Sequence, residues 1–269
     1  MAGPAMTDRI LVLDIETVPD LAAGRVLLGA AAEGLDDAAL RAALGARYAR
    51  PGEDPAHAFL KAPLHRVVVL GVLRARRDGM GEPWRVTQLD ARATGEESEA
   101  ELLEKLDQAF RNQPVLVGFN TQGFDLPVLR YRAMALGVPM PNLFGRGGRD
   151  YGHRYGNDHI DLCDRLSGHR ASTPPSLAEC AALLGLDAKS FMGGAAVEAA
   201  AAEGKLADVA AYCEQDVVNT WALALRWMMA TGLLGADDAR ASMAALADTV
   251  ESSGKPQLLP LLDGLRQLA

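Results

Sequence analysis

Ile10, Leu11, Val12 and Leu13 form an unbroken apolar run that leads directly into Asp14 and Glu16. The run reads as a strand buried in a sheet. Residues i and i+2 of a strand point to the same face. The two carboxylates therefore project together from an apolar sheet, at the end of a strand expected over residues 9–17. Two like charges so placed are unfavourable unless something positive lies between them. Taken alone, the pair also suits a strand that simply ends in water.

Composition sets the frame for this strand. A chain of 269 residues with 49% hydrophobic and 23% charged side chains has the makings of a globular domain with a sizeable core. No apolar run reaches the ~18 residues of a membrane span, so no membrane association is expected. The N-terminal stretch has no basic segment followed by an apolar one, and a secretory signal is not expected. Cys163, Cys180 and Cys213 are odd in number and lack C-x-x-C spacing. They read as reduced, buried thiols of a cytoplasmic protein. The net charge of −8 argues against a coat of nucleic acid on a basic surface. It leaves room for an enzyme that grips a short stretch of strand with divalent cations, which reverse the sign of an acidic cleft.

Further strands are expected over residues 65–77, 84–91, 115–120 and 159–163. Thr94 and Glu97 have the spacing of a capping box. They are expected to open a helix with Leu102, Leu103, Leu106 and Phe110 on its apolar face. A second helix is expected from about Pro127 to the stop signals Gly137 and Pro139, a short one over 176–185, and the longest over 206–229. The first three strands have short connections suited to antiparallel pairing, whereas the later ones need helical crossovers. The order predicts an α/β fold: a mixed five-stranded sheet, three strands antiparallel and two parallel, flanked by helices. An alanine-rich insertion at 20–62 follows the first strand and is expected near the mouth of any cleft at its end. The loop at 144–158 mixes Arg146, Arg149 and Arg154 with Tyr151, Tyr155 and His153, a composition suited to a strand-binding flap.

Two more acidic sites stand out. Asp125, in GFNTQGFDLP, sits where the chain enters a helix, a place that equally suits an N-cap. Asn120 ends the preceding strand. Tyr212 and Asp216, in YCEQD, are four residues apart and share one helix face beside the stripe of Val209, Cys213, Val217 and Trp221. There is no P-loop, H-E-x-x-H or G-x-S-x-G. The histidines show no ligand spacing, and His159 reads as a packed or surface imidazole.

In order and context, these sites resemble the DEDDy 3′→5′ exonucleases of the ribonuclease H-like (DnaQ-like) superfamily. The likeness is to the stand-alone group related to the proofreading domain of B-family DNA polymerases. DIET (14–17) looks like the first motif, NTQGFDLP (120–127) the second and YCEQD (212–216) the third, with HIDLCD (159–164) and SLAECAALLGL (176–186) also similar. Tyrosine four residues before the last Asp points to the tyrosine branch. The resemblance covers most of residues 9–230 and leaves out the 20–62 insertion and about the last 40 residues; an exonuclease domain is expected over 8–232, with a C-terminal helical extension over 233–269 packed on the same domain.

It also implies two divalent cations, Mg²⁺ or Mn²⁺, held by Asp14, Glu16, Asp125 and Asp216, ions that favour oxygen ligands. Tyr212 would position the attacking water. The backbone from Ile15 to Thr17 would hold the terminal 3′-hydroxyl, Asn120 would bond near the next nucleotide, and Phe124 would stack on a base. Asp161 is expected to order the neighbouring helix or support the site. The expected partner is nucleic acid with a free 3′ end, single-stranded DNA before RNA, with a polymerase or repair partner possible in trans. At this length a polymerase module within the same chain is not expected. A non-catalytic binding module of the same fold is the reading from another class.

Overall fold

The run from Ile10 to Leu13 becomes the centre of the sheet. The computed structural model describes residues 8–79, 81–145, 148–187 and 192–269. Among these, β1 (Arg9–Pro19) is followed by helices α1 (Leu21–Leu28) and α2 (Asp37–Gly45). Next come β2 (His65–Arg76), β3 (Arg85–Ala93), α3 (Glu99–Ala109) and β4 (Val115–Gly118). Helices α4 (Asp125–Leu136) and α5 (Pro141–Phe144) lead to β5 (His159–Asp161). The chain closes with α6 (Leu162–Leu166), α7 (Leu177–Leu183), α8 (Gly194–Ala202), α9 (Leu206–Ala230), α10 (Ala236–Ser253) and α11 (Leu262–Leu268).

The strands form one sheet in the order β3-β2-β1-β4-β5. β1–β2 and β2–β3 are antiparallel, and β1–β4 and β4–β5 are parallel. This is the mixed sheet expected from the element order. Leu11, Leu13 and Ile15 face a core built with α3 and α4, through Leu103, Leu106, Phe110, Leu126 and Leu129. Ile10 and Val12 face the opposite core, with Val217 and Trp221 of α9 and Met243 and Leu246 of α10. Asp14 and Glu16 continue this second alternation, so both aim towards α9. Trp84 packs edge-on against Trp221 at 5.9 Å, and its amide donates to Ser242 Oγ of α10 at 2.8 Å. No helix among the described residues is long and apolar enough to cross a membrane.

Several boundaries differ from the sequence expectation. β1 runs two residues past 17, to Pro19. Its parallel partner β4 pairs only with Ile10, Leu11 and Val12, while the antiparallel partner β2 follows it to the end. The carboxylates thus mark the end of the β4 pairing rather than the end of the strand. The capping box belongs to Ser98 and Glu101, not to Thr94 and Glu97, and α3 starts accordingly at Glu99. β5 ends at Asp161 because that side chain caps α6, accepting from the Asp164 amide at 3.2 Å. Much of the described part of the 144–158 loop is tied to the body of the fold, although Tyr155 is exposed. Tyr151 is buried and donates to Pro114 O at 2.8 Å, Arg149 pairs with Asp158, and Arg154 Nε donates to Asp164 Oδ2 at 2.6 Å. Arg146 lies outside the described residues.

One buried ion network fixes α4 on the sheet. Arg132 Nη1 donates to Asp20 Oδ2 at 2.6 Å, just beyond β1. Its Nε and Nη2 form a fork on Glu99 at 2.8 and 2.7 Å, and Glu99 Oε1 also accepts from the Val67 amide of β2 at 2.7 Å. A paired guanidinium fork of this kind sets orientation as well as distance. Arg132→Ala leaves two poorly solvated carboxylates without their cation and is expected to cost about 3 kcal/mol in urea unfolding. A loss under ~1 kcal/mol would show the network to be no firmer than a surface pair.

Gly71 sets the distance on the other face. It pairs with Asp14 across β1 and β2. A Cβ there would lie 2.6 Å from Cys213 Sγ and 3.3 Å from Val217 Cγ1, so the missing side chain lets α9 settle onto the sheet. Gly71→Ala is expected to cost about 1–3 kcal/mol by overpacking. In a Cys213→Ala background the cost should shrink, because the atom nearest the new methyl is gone. Equal costs in both backgrounds, measured by urea unfolding, would contradict this packing.

Candidate active site

Three elements bring the acidic side chains together. β1 supplies Asp14 and Glu16, the first turn of α4 supplies Asp125, and α9 supplies Asp216 with Tyr212. Asp14 and Glu16 are half-buried, whereas Asp125, Tyr212 and Asp216 are buried. Asp125 does not cap α4. Phe124 occupies the cap position without a side-chain bond, and Asp125 is the first helical residue. Its carboxylate accepts from its own amide and from the Ile15 amide of β1. Beyond Val12 no strand among the described residues pairs with the β4 side of β1, and Asp125 takes up an amide along that stretch.

The electrostatics follow from this crowding. Burial pushes the Asp14 carboxyl up to about 8, helped by the charge of Asp125. Asp125 is pushed up to about 8, again chiefly by burial and further by Asp161. Glu16 lies well above the usual carboxylate range through burial and then the charges of Asp14, Asp216 and Asp125. Asp216 is raised well above its ordinary value by burial and Asp14, against the hydrogen bond from Tyr212. Burial, then the Asp216 charge, raises the Tyr212 phenol, so it stays protonated and donates.

The residues present fit divalent cations. Among the described residues, Asp125 Oδ1 and Asp216 Oδ1 are buried without a hydrogen-bond partner. Asp14, Glu16 and Cys213 offer ligand atoms within 4.8 Å of one another. At that separation two carboxylates repel by about 3 kcal/mol in an effective dielectric of ~20. Cys213 Sγ lies 3.2 Å from Asp14 Oδ2, and burial, then the charges of Asp14 and Glu16, raises its thiol well above the ordinary value. A protonated sulfur is a poor ligand for a hard cation, so the oxygens are the better donors. The sequence marked Cys213 as a buried thiol but not as the hydrogen-bond donor to Asp14. Its place one residue after Tyr212 and three before Asp216 was the signal.

The residues expected to grip substrate divide into two groups. Asn120 lines an open cavity of about 430 Å³ together with Asp14, Phe119, Arg170, Pro174 and Asp216. Asn120 has φ +59° and Arg170 φ +71°, both in the left-handed region that non-glycine residues seldom adopt. They meet where Arg170 Nη2 donates to Asn120 Oδ1 at 2.6 Å. Gly123 leaves room for the contact, since a Cβ there would lie 2.5 Å from Asn120 Oδ1 and 2.8 Å from Arg170 Nη2. Asp161 holds the loop from below, accepting from the Asn120 and Gln122 amides at 2.9 and 2.8 Å. Arg170 carried no signal in the sequence, because its loop matches no motif and only the fold carries it to the carboxylates.

The second group lies around His65. Thr17 Oγ1 bonds His65 Nδ1 at 2.9 Å, and Phe124 meets the His65 ring edge-on at 5.1 Å. The Ile15 side chain is buried in the core on the α4 side, and its amide donates to the Asp125 carboxylate. His159 is a packed imidazole, bonded to Thr121 Oγ1 at 2.7 Å and facing the Tyr151 carbonyl at 2.9 Å.

A family described as predicted 3′-5′ exonucleases related to the exonuclease domain of PolB matches residues 57–263. The match includes Asp125, Tyr212 and Asp216, starts after Asp14 and Glu16, and extends past residue 230 into the C-terminal helices. No curated protein sequence matches the chain. Among solved structures, the family B DNA polymerase of the hyperthermophilic archaeon Pyrobaculum calidifontis is similar at 16% identity with a TM-score of 0.55. That similarity covers 99% of this chain and 28% of the polymerase, and it supports the fold. By its match over most of its length, the chain belongs to the family of predicted 3′-5′ exonucleases related to the exonuclease domain of PolB.

Proposed function

We propose that the enzyme removes nucleotides from the 3′ end of DNA, single strands above all, and releases nucleoside 5′-monophosphates. The observation that carries this reading is the convergence of four carboxylates from β1, α4 and α9, two with buried oxygens that lack any partner. Asp14, Glu16, Asp125 and Asp216 would hold two divalent cations, Mg²⁺ or Mn²⁺. Such ions, when bound, stabilise the attacking and leaving oxygens of an in-line displacement at phosphorus.

The chain's own groups would do the rest. Tyr212 keeps its proton and, bonded to Asp216, presents its hydroxyl at the edge of the carboxylate cluster to orient the attacking water. Asn120 and Arg170 line the same cavity and would bind the strand, the guanidinium meeting a phosphate. Phe124, next to Asp125, would face a base. The fold's acidic surface is no obstacle, because the grip is local and the cluster's charge is offset when cations are bound.

Two predictions follow from these roles. With Mn²⁺ and 5′-labelled oligomers, Asp14→Ala should abolish nucleotide release. Tyr212→Phe should lower kcat by about 10²-fold while strand affinity stays near that of the wild type. DNA should be degraded faster than RNA of the same sequence. Faster RNA decay would move the reading to an exoribonuclease, and wild-type rates in Asp14→Ala would remove the site assignment altogether.

The second concerns pH. Unfolded carboxylates titrate near ~4, whereas folded Asp14 and Asp125 without cations titrate at about 8. Over that window the folded chain binds protons that the unfolded chain has released. The resulting stability is present below ~4 and is lost as pH rises through about 8. In chelator, Tm should therefore fall between about pH 6 and pH 8.5, and Mn²⁺ should raise it most at the upper end. A Tm in chelator that rises over this range would contradict the buried, proton-holding cluster.

A further inference from the structure

The insertion after β1 places one aromatic ring where the mechanism has no assigned use for it. Phe59 is 68% exposed, yet its neighbours Ala58 and Leu60 are 0% and 1% exposed. Isolated exposed apolar side chains are ordinary on protein surfaces. Phe59 differs because its backbone is pinned on both sides. Arg41 Nη2, from buried Arg41 of α2, donates to Ala58 O at 2.9 Å, and His65 Nε2 lies 3.2 Å from Leu60 O. Leu60 also anchors the small core of the insertion with Leu44 and Leu64. The ring is therefore held out by a fixed frame.

What it is held against matters more. Phe59 lies 5.4 Å from the Phe124 ring and 5.4 Å from His65, and His65 and Phe124 meet edge-on at 5.1 Å. These are ordinary separations for interacting aromatic rings. Phe124 precedes Asp125, and His65 bonds Thr17, next to Glu16. Along the chain, Phe124 and Thr17 each lie one residue from a carboxylate of the site, Asp125 and Glu16, and the exposed ring is the outermost of the three.

We propose that Phe59, with Phe124 and His65 behind it, forms a stacking platform for an unpaired nucleobase at the 3′ end of the strand. This subsite is supplied by the insertion and deepens the exonuclease reading, on which it rests. A flat apolar ring accepts any base through its π-face, so the platform selects for an unpaired base rather than for a sequence. It assigns the 20–62 segment a part in gripping substrate and makes a base held in a duplex a poorer ligand than a free one.

Binding tests this without requiring turnover. Two 5′-fluorescein single-stranded DNA oligomers are compared by anisotropy in an Asp14→Ala background, which keeps the strand intact. One ends in thymidine and the other in an abasic tetrahydrofuran residue. With Phe59 present, the base-bearing strand should bind about tenfold more tightly. Phe59→Ala should remove most of that difference and Phe59→Trp should preserve it, with unfolding midpoints showing that both variants fold. In the otherwise wild-type enzyme, Phe59→Ala should raise KM by more than it lowers kcat. An undiminished base preference in Phe59→Ala, or no preference with Phe59 present, overturns the proposal. Wild-type protein that binds with this preference but releases no nucleotide would instead remove the exonuclease reading and leave the platform standing.

Discussion

Repulsion among four half-buried or buried carboxylates is the constraint on which the rest of the structure turns. Burial raises the proton affinity of Asp14, Glu16, Asp125 and Asp216, and the charges of neighbouring carboxylates raise it further. A fold that only had to be stable would replace them with hydrocarbon, which packs β1 well up to Leu13. Their cost is offset in part by fixed donors: the Ile15 amide on Asp125, the Tyr212 hydroxyl on Asp216 and the Cys213 thiol on Asp14. The two orphaned oxygens are left over. Buried polar atoms without partners are rare enough that each calls for an explanation, and an absent cation is the simplest here.

The scaffold answers that repulsion by holding each contributor from outside the cluster. Arg132 ties α4 to the end of β1 and the start of α3. Gly71 lets α9 lie close enough for Cys213 to reach Asp14. Asp161 gathers the amides of the loop that carries Asn120 and leads to Asp125. These contacts come from rigid elements, and small displacements in such sites weaken positioning sharply.

The sheet was legible in the sequence because its signals are local. Apolar runs, their spacing and the length of the connections between them determine strand order and direction. The carboxylates stood out because Asp14 and Glu16 interrupt an apolar strand, Asp125 falls where α4 begins and Asp216 shares a helix face with Tyr212, and their order along the chain resembles one family. What was not legible depends on contacts between distant segments. The end of β4 pairing at Val12, not the end of β1, places Asp14, and no pattern within β1 reveals it. Ser98 outcompetes Thr94 as a cap because Glu101 returns its hydrogen bond in the folded turn. The 144–158 loop has the composition of a flap, but Tyr151, Arg149 and Arg154 find partners within the fold. Arg170 lines the cavity beside Asp14 and Asp216, and Phe59 meets Phe124, from segments that carry no motif.

The central claim is that the four carboxylates form one divalent-cation site. Anomalous scattering from crystals soaked with Mn²⁺ and a nucleoside 5′-monophosphate tests it most directly. The expected result is two manganese peaks enclosed by Asp14, Glu16, Asp125 and Asp216, with the nucleotide phosphate against them. Manganese bound elsewhere, with the four carboxylates carrying none, would contradict it.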